Sequence, residues 1–386
     1  MKVTFAHMGN LWITVKTILE DLGVEVVVPP RPSRRSLEVG VRHSPEFACF
    51  PLKMNIGDYI GAIERGADTI VMVGGVGPCR LGHYAQVQAE ILRDLGYRAE
   101  MVILEPPRGH FSALLDKIRY LTGGKPISRV VRALRFGWEK LYALDCLDRA
   151  LVRTRPLEVV PGGAAAAHRR AVAAVAGAAG VEATRRARDE GVTAVLAAGG
   201  AGAAWEDDGE AGGGLPGRNG TPLRVGIVGE IFMVAEPFAN QDLERRLGEM
   251  GVEVTRALYV SDWVRINLLL DTLRLRRCSR QSVVKEAASP YLGHFVGGEG
   301  LESVGETVLY SRQGYDGVIH VAPFTCMPEI VATSLLPEVG RDLDLPVMSL
   351  FLDEHSGEAG LATRLEAFVD LLARRRARAG AGRATR

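Results

Sequence analysis

The chain has 386 residues, 47% hydrophobic and 24% charged, which is enough for two domains with full cores and too apolar for a disordered chain. A formal net charge of +1 gives bulk electrostatics no preference for nucleic acid or an anionic membrane. Five cysteines are an odd count and too sparse for a disulfide framework.

Met1-Lys2 leads straight into a strand pattern, with no signal-peptide core, and no apolar run is long enough to span a bilayer. A cytoplasmic protein with no membrane and no nucleic-acid partner is the expectation. Val3 to His7 reads as a first strand. Leu11 to Leu22 has helical periodicity and stops at Gly23, and Val24 to Val28 is a short β-branched run ended by Pro29 and Pro30. Ile56 to Arg65 reads as a helix stopped by Gly66, Thr69 to Val73 as a buried strand, Tyr84 to Leu95 as a helix and Ala99 to Leu104 as a strand. Short strands alternating with helices predict a parallel sheet covered on both faces.

A biased stretch follows. Gly162 to Gly180 is alanine-rich and predicts helix, while Gly199 to Gly220 is glycine-rich and predicts a surface loop. The α/β pattern restarts at Leu223. Arg224 to Val228, Val252 to Val260, Val318 to Ala322 and Val347 to Phe351 read as strands, Leu243 to Met250 and Leu361 to Leu372 as helices, and Asp262 as a helix N-cap. The expected organisation is an α/β domain over 1–155, an Ala/Gly-rich connector over 156–222, a second α/β domain over 223–375 and a flexible basic tail over 376–386. The fold class is α/β, with two Rossmann-like, doubly wound domains facing across a cleft.

Three cysteines share one context. Cys49 lies in Ser44-Pro45-Glu46-Phe47-Ala48-Cys49-Phe50-Pro51, Cys79 in Gly74-Gly75-Val76-Gly77-Pro78-Cys79-Arg80, and Cys326 in Pro323-Phe324-Thr325-Cys326-Met327-Pro328. Each is expected near a helix N-terminus, and Cys79 and Cys326 directly follow strands. Unpaired N–H groups and the helix dipole there favour negative charge, lower a thiol's pKa and suit a metal ligand. Ligands of open α/β sheets bind beyond the strands' carboxyl ends, so the three thiols can converge between the two domains. Both zinc and an iron–sulfur cluster accept thiolates, and a small buried hydrophobe is the plain alternative for each cysteine. Cys146, inside a helical pattern, and Cys278, in a basic stretch, read as packing or surface residues.

Weaker polar candidates are His83 and Tyr84 after Cys79, His294 before a Gly297-Gly298-Glu299-Gly300 anion nest, and Asp353-Glu354-His355 after a strand. No Gly-x-Ser-x-Gly elbow, P-loop or Gly-x-Gly-x-x-Gly after the first strand occurs, which argues against hydrolase, ATPase and dinucleotide roles.

The chain resembles the CoA-protein activase, or acyl-CoA dehydratase activase-related, group. That group is similar to the iron–sulfur subunits of 2-hydroxyacyl-CoA dehydratases and to double-cubane cluster proteins. The resemblance covers 1–150 and 223–375. It rests on Phe5-Ala6-His7-Met8-Gly9-Asn10, Ser44 to Lys53, Gly74 to Tyr84, Gly226-Ile227-Val228-Gly229-Glu230, Ser261-Asp262-Trp263, Pro290-Tyr291-Leu292-Gly293-His294, Pro323 to Glu329 and Asp353-Glu354-His355. It implies an iron–sulfur cluster, either a 4Fe–4S cubane or a double-cubane, on Cys49, Cys79 and Cys326. It also implies a separate ATP-hydrolysing iron–sulfur activase as electron donor, and a homodimer or heterodimer. With no nucleotide motif of its own, the chain is expected to receive low-potential electrons and to reduce a small molecule. A 2-hydroxyacyl-CoA dehydratase component (a lyase) and a non-catalytic cluster-binding scaffold or regulator of an acyl-CoA enzyme are the alternatives.

Overall fold

The computed structural model describes residues 1–74, 79–105, 111–200, 222–265 and 280–384. Cys278, Gly75 to Pro78 and nearly all of the glycine-rich stretch fall outside them. The first half runs β1 (Lys2–Phe5), α1 (Leu11–Asp21), β2 (Glu25–Val26), α2 (Arg34–His43), α3 (Phe50–Ile63), β3 (Thr69–Val73), α4 (Leu81–Asp94), β4 (Glu100–Leu104) and α5 (Phe111–Thr122). Three helices follow, α6 (Ile127–Thr154), α7 (Gly163–Gly177) and α8 (Val181–Ala197). The second half runs β5 (Leu223–Gly229), α9 (Ile231–Ala235), α10 (Leu243–Glu249), β6 (Val252–Arg256), α11 (Val260–Val264), α12 (Arg280–Ala288), α13 (Gly300–Arg312), β7 (Gly317–Pro323), α14 (Met327–Asp342), β8 (Val347–Leu352) and α15 (Glu358–Ala384).

Both sheets are parallel, ordered β2-β1-β3-β4 and β6-β5-β7-β8. The two orders are the same, first strand beside third, so each sheet has its switch point there: between β1 and β3, and between β5 and β7. Crevices for ligands open at such points, beyond the strands' carboxyl ends. The chain therefore holds an architectural duplication that its residues do not repeat.

Alternation along the strands splits the first domain's core. Val3, Phe5 and Val102 pack with Leu19, Leu22 and Val130 on the α1 and α6 side, and Ile70 and Met72 pack with Tyr59, Tyr84 and Leu92 under α3 and α4. Helix α3 is buried at every residue from Phe50 to Ile60. It lies between its own sheet and the second domain, whose largest apolar cluster takes in Leu37, Phe50 and Met54 from α2 and α3 alongside Ile227, Met233 and Val321.

The alanine-rich segment forms α7 and packs with α8 on α6. Ala143, Leu144, Leu147, Ala167, Ala171 and Val195 close around Cys146, so that thiol is core packing. Two expectations need correction. Asp262 does not cap a helix from outside. It lies within α11, whose N-cap is Tyr259, and pairs with Arg149 at 2.5 Å. Nor is 376–386 a flexible tail from its first residue: α15 runs on to Ala384, and Arg376 grips Asp316 and the carbonyl of Pro222.

Helix α6 also joins the halves, because buried Asp145 accepts the Ser261 N–H at 2.7 Å. Burial lifts the Asp145 carboxyl from its ordinary 3.8 to about 6, against the pull of its Ser261 hydrogen bonds. A raised carboxyl stabilises the fold fully below pH 3.8, and that contribution is lost as pH climbs through about 6. Asp145→Asn keeps an acceptor for Ser261 but cannot ionise. Urea melts at pH 5 and pH 8 should show the variant gaining on the native protein by roughly 1.4 kcal/mol at the higher pH. Parallel curves at both pH values would show that Asp145 keeps an ordinary pKa.

Candidate functional site

The three cysteines are placed by three helix starts. Cys49 is the N-cap of α3 and Cys326 the N-cap of α14, each followed two residues later by proline, while Cys79 stands two residues before α4. Proline in a first helical turn forfeits only an N–H that has no partner there, so Cys-x-Pro marks a helix start. The backbone N–H groups of Leu52, Leu81 and Glu329 stand on the Cys49, Cys79 and Cys326 side of their helix starts and favour thiolate there, although neither Cys49 nor Cys326 makes a side-chain cap hydrogen bond. The Tyr84 hydroxyl shares a hydrogen bond with the Cys49 thiol.

The turns that carry these thiols come from both domains and meet at Arg80, which bonds Phe47 and Thr325. Cys49 acts electrostatically on Cys326, and one carboxyl, Glu230, acts on Cys49, Cys79 and Cys326 alike. Glu230 stands at the end of β5, where it caps α9 by accepting the Met233 N–H at 2.9 Å. The site thus gathers the loops that follow β3, β5 and β7, at the two switch points. Among the described residues, no three His, Cys, Asp or Glu side chains lie close enough together to hold a single metal ion.

The expectation of lowered thiol pKa values is overturned. Cys49 and Cys326 are only 7% and 8% exposed. Burial pushes the Cys49 thiol up to about 11, outweighing the Tyr84 hydrogen bond and the nearby Leu52 amide that pull it down. Cys326 is pushed higher still, by burial first and then by Glu230 and Glu329, and Cys79 also rises, chiefly by burial. Helix N-termini do favour thiolate here, but desolvation is the larger effect. At neutral pH the thiols keep their protons, which suits them poorly as nucleophiles. A ligating cation would compensate the charge that burial penalises.

The carboxyls follow the same logic. Burial raises Glu230 to about 7, and half-buried Glu299 is held well above the usual carboxylate range by its enclosure and by Glu230, Glu329 and Glu302. Glu329 is fully buried, accepts from Ser303 at 2.9 Å and meets His320 Nε2 at 2.7 Å.

Side chains cross between the domains around the thiols. Lys53, one turn into α3, pairs with Glu354 and donates to the Glu46 carbonyl at 3.0 Å. The Gly9 N–H donates to Glu236 at 2.6 Å, with His7 Nδ1 facing the same oxygen at 3.4 Å. Arg80, next to Cys79, donates to the Phe47 carbonyl at 3.1 Å and to both oxygens of Thr325.

Of the weaker candidates, Tyr84 reaches the site and His83, His294 and His355 are exposed. Glu354 matters through Lys53, while Asp353 folds its own turn by accepting the His355 N–H. The Gly297-Gly298-Glu299-Gly300 loop is a packing joint. A Cβ at Gly300 would meet the Pro328 carbonyl at 2.4 Å, so glycine lets this loop close against the start of α14. Glu230 and Arg80 carry no chemical signature in the sequence that marks them as site residues. Their signal was position, one at a strand's carboxyl end and the other directly after a cysteine.

No protein-family model matches the chain, and no curated protein matches it. Among the described residues, no helix is long and apolar enough to cross a membrane.

Proposed function

We propose that Cys49, Cys79 and Cys326 hold an iron–sulfur cluster in a cleft between the two switch points. On this reading the chain accepts low-potential electrons from a separate ATP-hydrolysing iron–sulfur activase and passes them to a small molecule. The observation that carries it is that the three cysteine-bearing turns, from three segments and two domains, are joined by hydrogen bonds of Arg80 to Phe47 and Thr325 and of Thr325 to Phe47.

The residues fit the group. Each cysteine stands at a helix start, where nearby backbone N–H groups favour negative charge and can tune the potential of cluster sulfurs. A bound cluster would supply one-electron transfer. The chain's own groups do the rest. The Leu52, Leu81 and Glu329 amides favour negative charge on the sulfurs, and the buried positions of Cys49 and Cys326 exclude water. Arg80 offsets negative charge at Cys49 and Cys79, and Glu230, poised at about 7, can hold or release a proton beside them.

Support for a docking partner comes from the rim. Phe47, Leu81, Phe324 and Met327 are exposed, and each lies within two residues of one of the three thiols. Large apolar side chains grouped at the mouth of a site mark an interaction surface. The test is anaerobic mixing with the activase and a reductant, with and without ATP. The cluster absorbance should bleach only when activase and ATP are both present. Full reduction by a mild reductant alone would remove the need for that donor and favour the scaffold alternative.

A further inference from the structure

Each of the three cysteine-bearing turns gives one member to a polar knot. Phe47 stands two residues before Cys49, Arg80 directly after Cys79 and Thr325 directly before Cys326. Arg80 Nη1 donates to the Phe47 carbonyl at 3.1 Å, Arg80 Nη2 donates to the Thr325 carbonyl and, at 3.0 Å, to its hydroxyl, and that hydroxyl donates to the Phe47 carbonyl at 3.1 Å. Thr325 adopts φ +70°, a left-handed conformation that costs a β-branched residue energy and persists only where its surroundings enforce it. Here that conformation turns both Thr325 oxygens toward one guanidinium from the other domain.

From this knot we infer that Arg80 is the positioning residue of the three-thiol site, and that closing the two domains and assembling the site are one event, locked by Arg80 on Phe47 and Thr325. The inference rests on the reading that the three thiols act together, and it says what brings them together. Guanidinium suits the task because its planar fork reaches several acceptors at once, whereas lysine presents a single point of charge.

The experiment uses the intact, reduced, metal-free chain, so it does not depend on a cluster. Iodoacetamide labelling of Cys49, Cys326 and Cys146 is followed by mass spectrometry in the native protein and in Arg80→Lys, Arg80→Ala, Thr325→Ser and Thr325→Val. Unlocking should expose Cys49 and Cys326 together. Both should label about tenfold faster in Arg80→Lys, Arg80→Ala and Thr325→Val, with Cys146 unchanged, and Thr325→Ser should restore the native rates. A purely electrostatic Arg80 predicts the opposite for Arg80→Ala, since losing the cation raises the Cys49 pKa and slows labelling. Unchanged or slower labelling of Cys49 and Cys326 in the Arg80 variants would overturn the inference. Should an Arg80 variant unfold and expose Cys146 too, the Thr325 pair decides. Faster labelling in Thr325→Val than in Thr325→Ser upholds the lock, and equal rates overturn it. Labelling as expected in a chain that never binds iron would leave the lock standing and remove only the iron–sulfur reading.

Discussion

Serine in place of Cys326 should strip most of the iron from anaerobically isolated protein and leave the metal-free fold as stable as before. Both halves of this expectation follow from position. Cys326 is the N-cap of α14 and makes no side-chain cap hydrogen bond. Serine is among the strongest N-cap residues and can accept from the first turn, so the helix start loses nothing and gains up to ~1 kcal/mol. A serine hydroxyl is a poor substitute for thiolate on iron. Cys49→Ser should behave in the same way, since Cys49 caps α3 without a cap hydrogen bond. Cys79→Ser should also lose the cluster. Cys146→Ser should do the reverse. It places a hydroxyl among Leu144, Leu147 and Ala167, costing about 1–2 kcal/mol while the iron stays. Iron content and urea melts on the same samples separate the cases. Iron lost in Cys146→Ser but retained in Cys326→Ser would show that the ligands are elsewhere.

Gly57→Ala should cost about 3 kcal/mol or more, enough to unfold a marginal domain. Helices α2 and α3 cross backbone to backbone. A Cβ at Gly57 would lie 1.9 Å from the Ser36 carbonyl oxygen, and one at Gly40 would lie 1.8 Å from the Lys53 carbonyl oxygen. Backbone on both sides leaves no flexible side chain to yield, so the helices must part. Parting would shift α3, which carries Cys49, Lys53 and, through Phe50 and Met54, the join to the second domain. Gly177→Ala is the contrast, because no atom lies within 4 Å of its added Cβ. It ends α7, where alanine should be neutral or better by roughly 0.5–1 kcal/mol. Equal melting of the two variants would mean that the α2–α3 crossing is looser than described.

The central strands were legible because they are short, β-branched and largely buried, β7 at every residue. β3 and β7 read directly from Thr69 to Val73 and from Val318 to Ala322. Gly23 and Gly66 were legible as stops because both take positive φ just after a helix. The start of α3 was not. Pro51 looks like a breaker when the helix is read from Ile56, whereas it occupies the first turn, where proline is tolerated. Helix α2 went unread because its polar residues hide its start, a capping box on Ser33 and Ser36. At the site, the helix-start context of the thiols was visible in Cys-x-Pro. Their high pKa values were not, because burial depends on the second domain closing over them. Pairings such as Lys53 with Glu354 or Arg80 with Thr325 join residues hundreds of positions apart, and no local pattern carries them. The repeated strand order was equally hidden, since β1 and β5 share a place in the sheet without sharing residues.

The most direct measurement is iron and acid-labile sulfide in the full chain, purified without oxygen and reconstituted if needed. Cluster ligation by Cys49, Cys79 and Cys326 predicts brown protein holding iron and sulfide in similar amounts. Zinc at one equivalent with no sulfide, or no metal at all after anaerobic reconstitution, would contradict it.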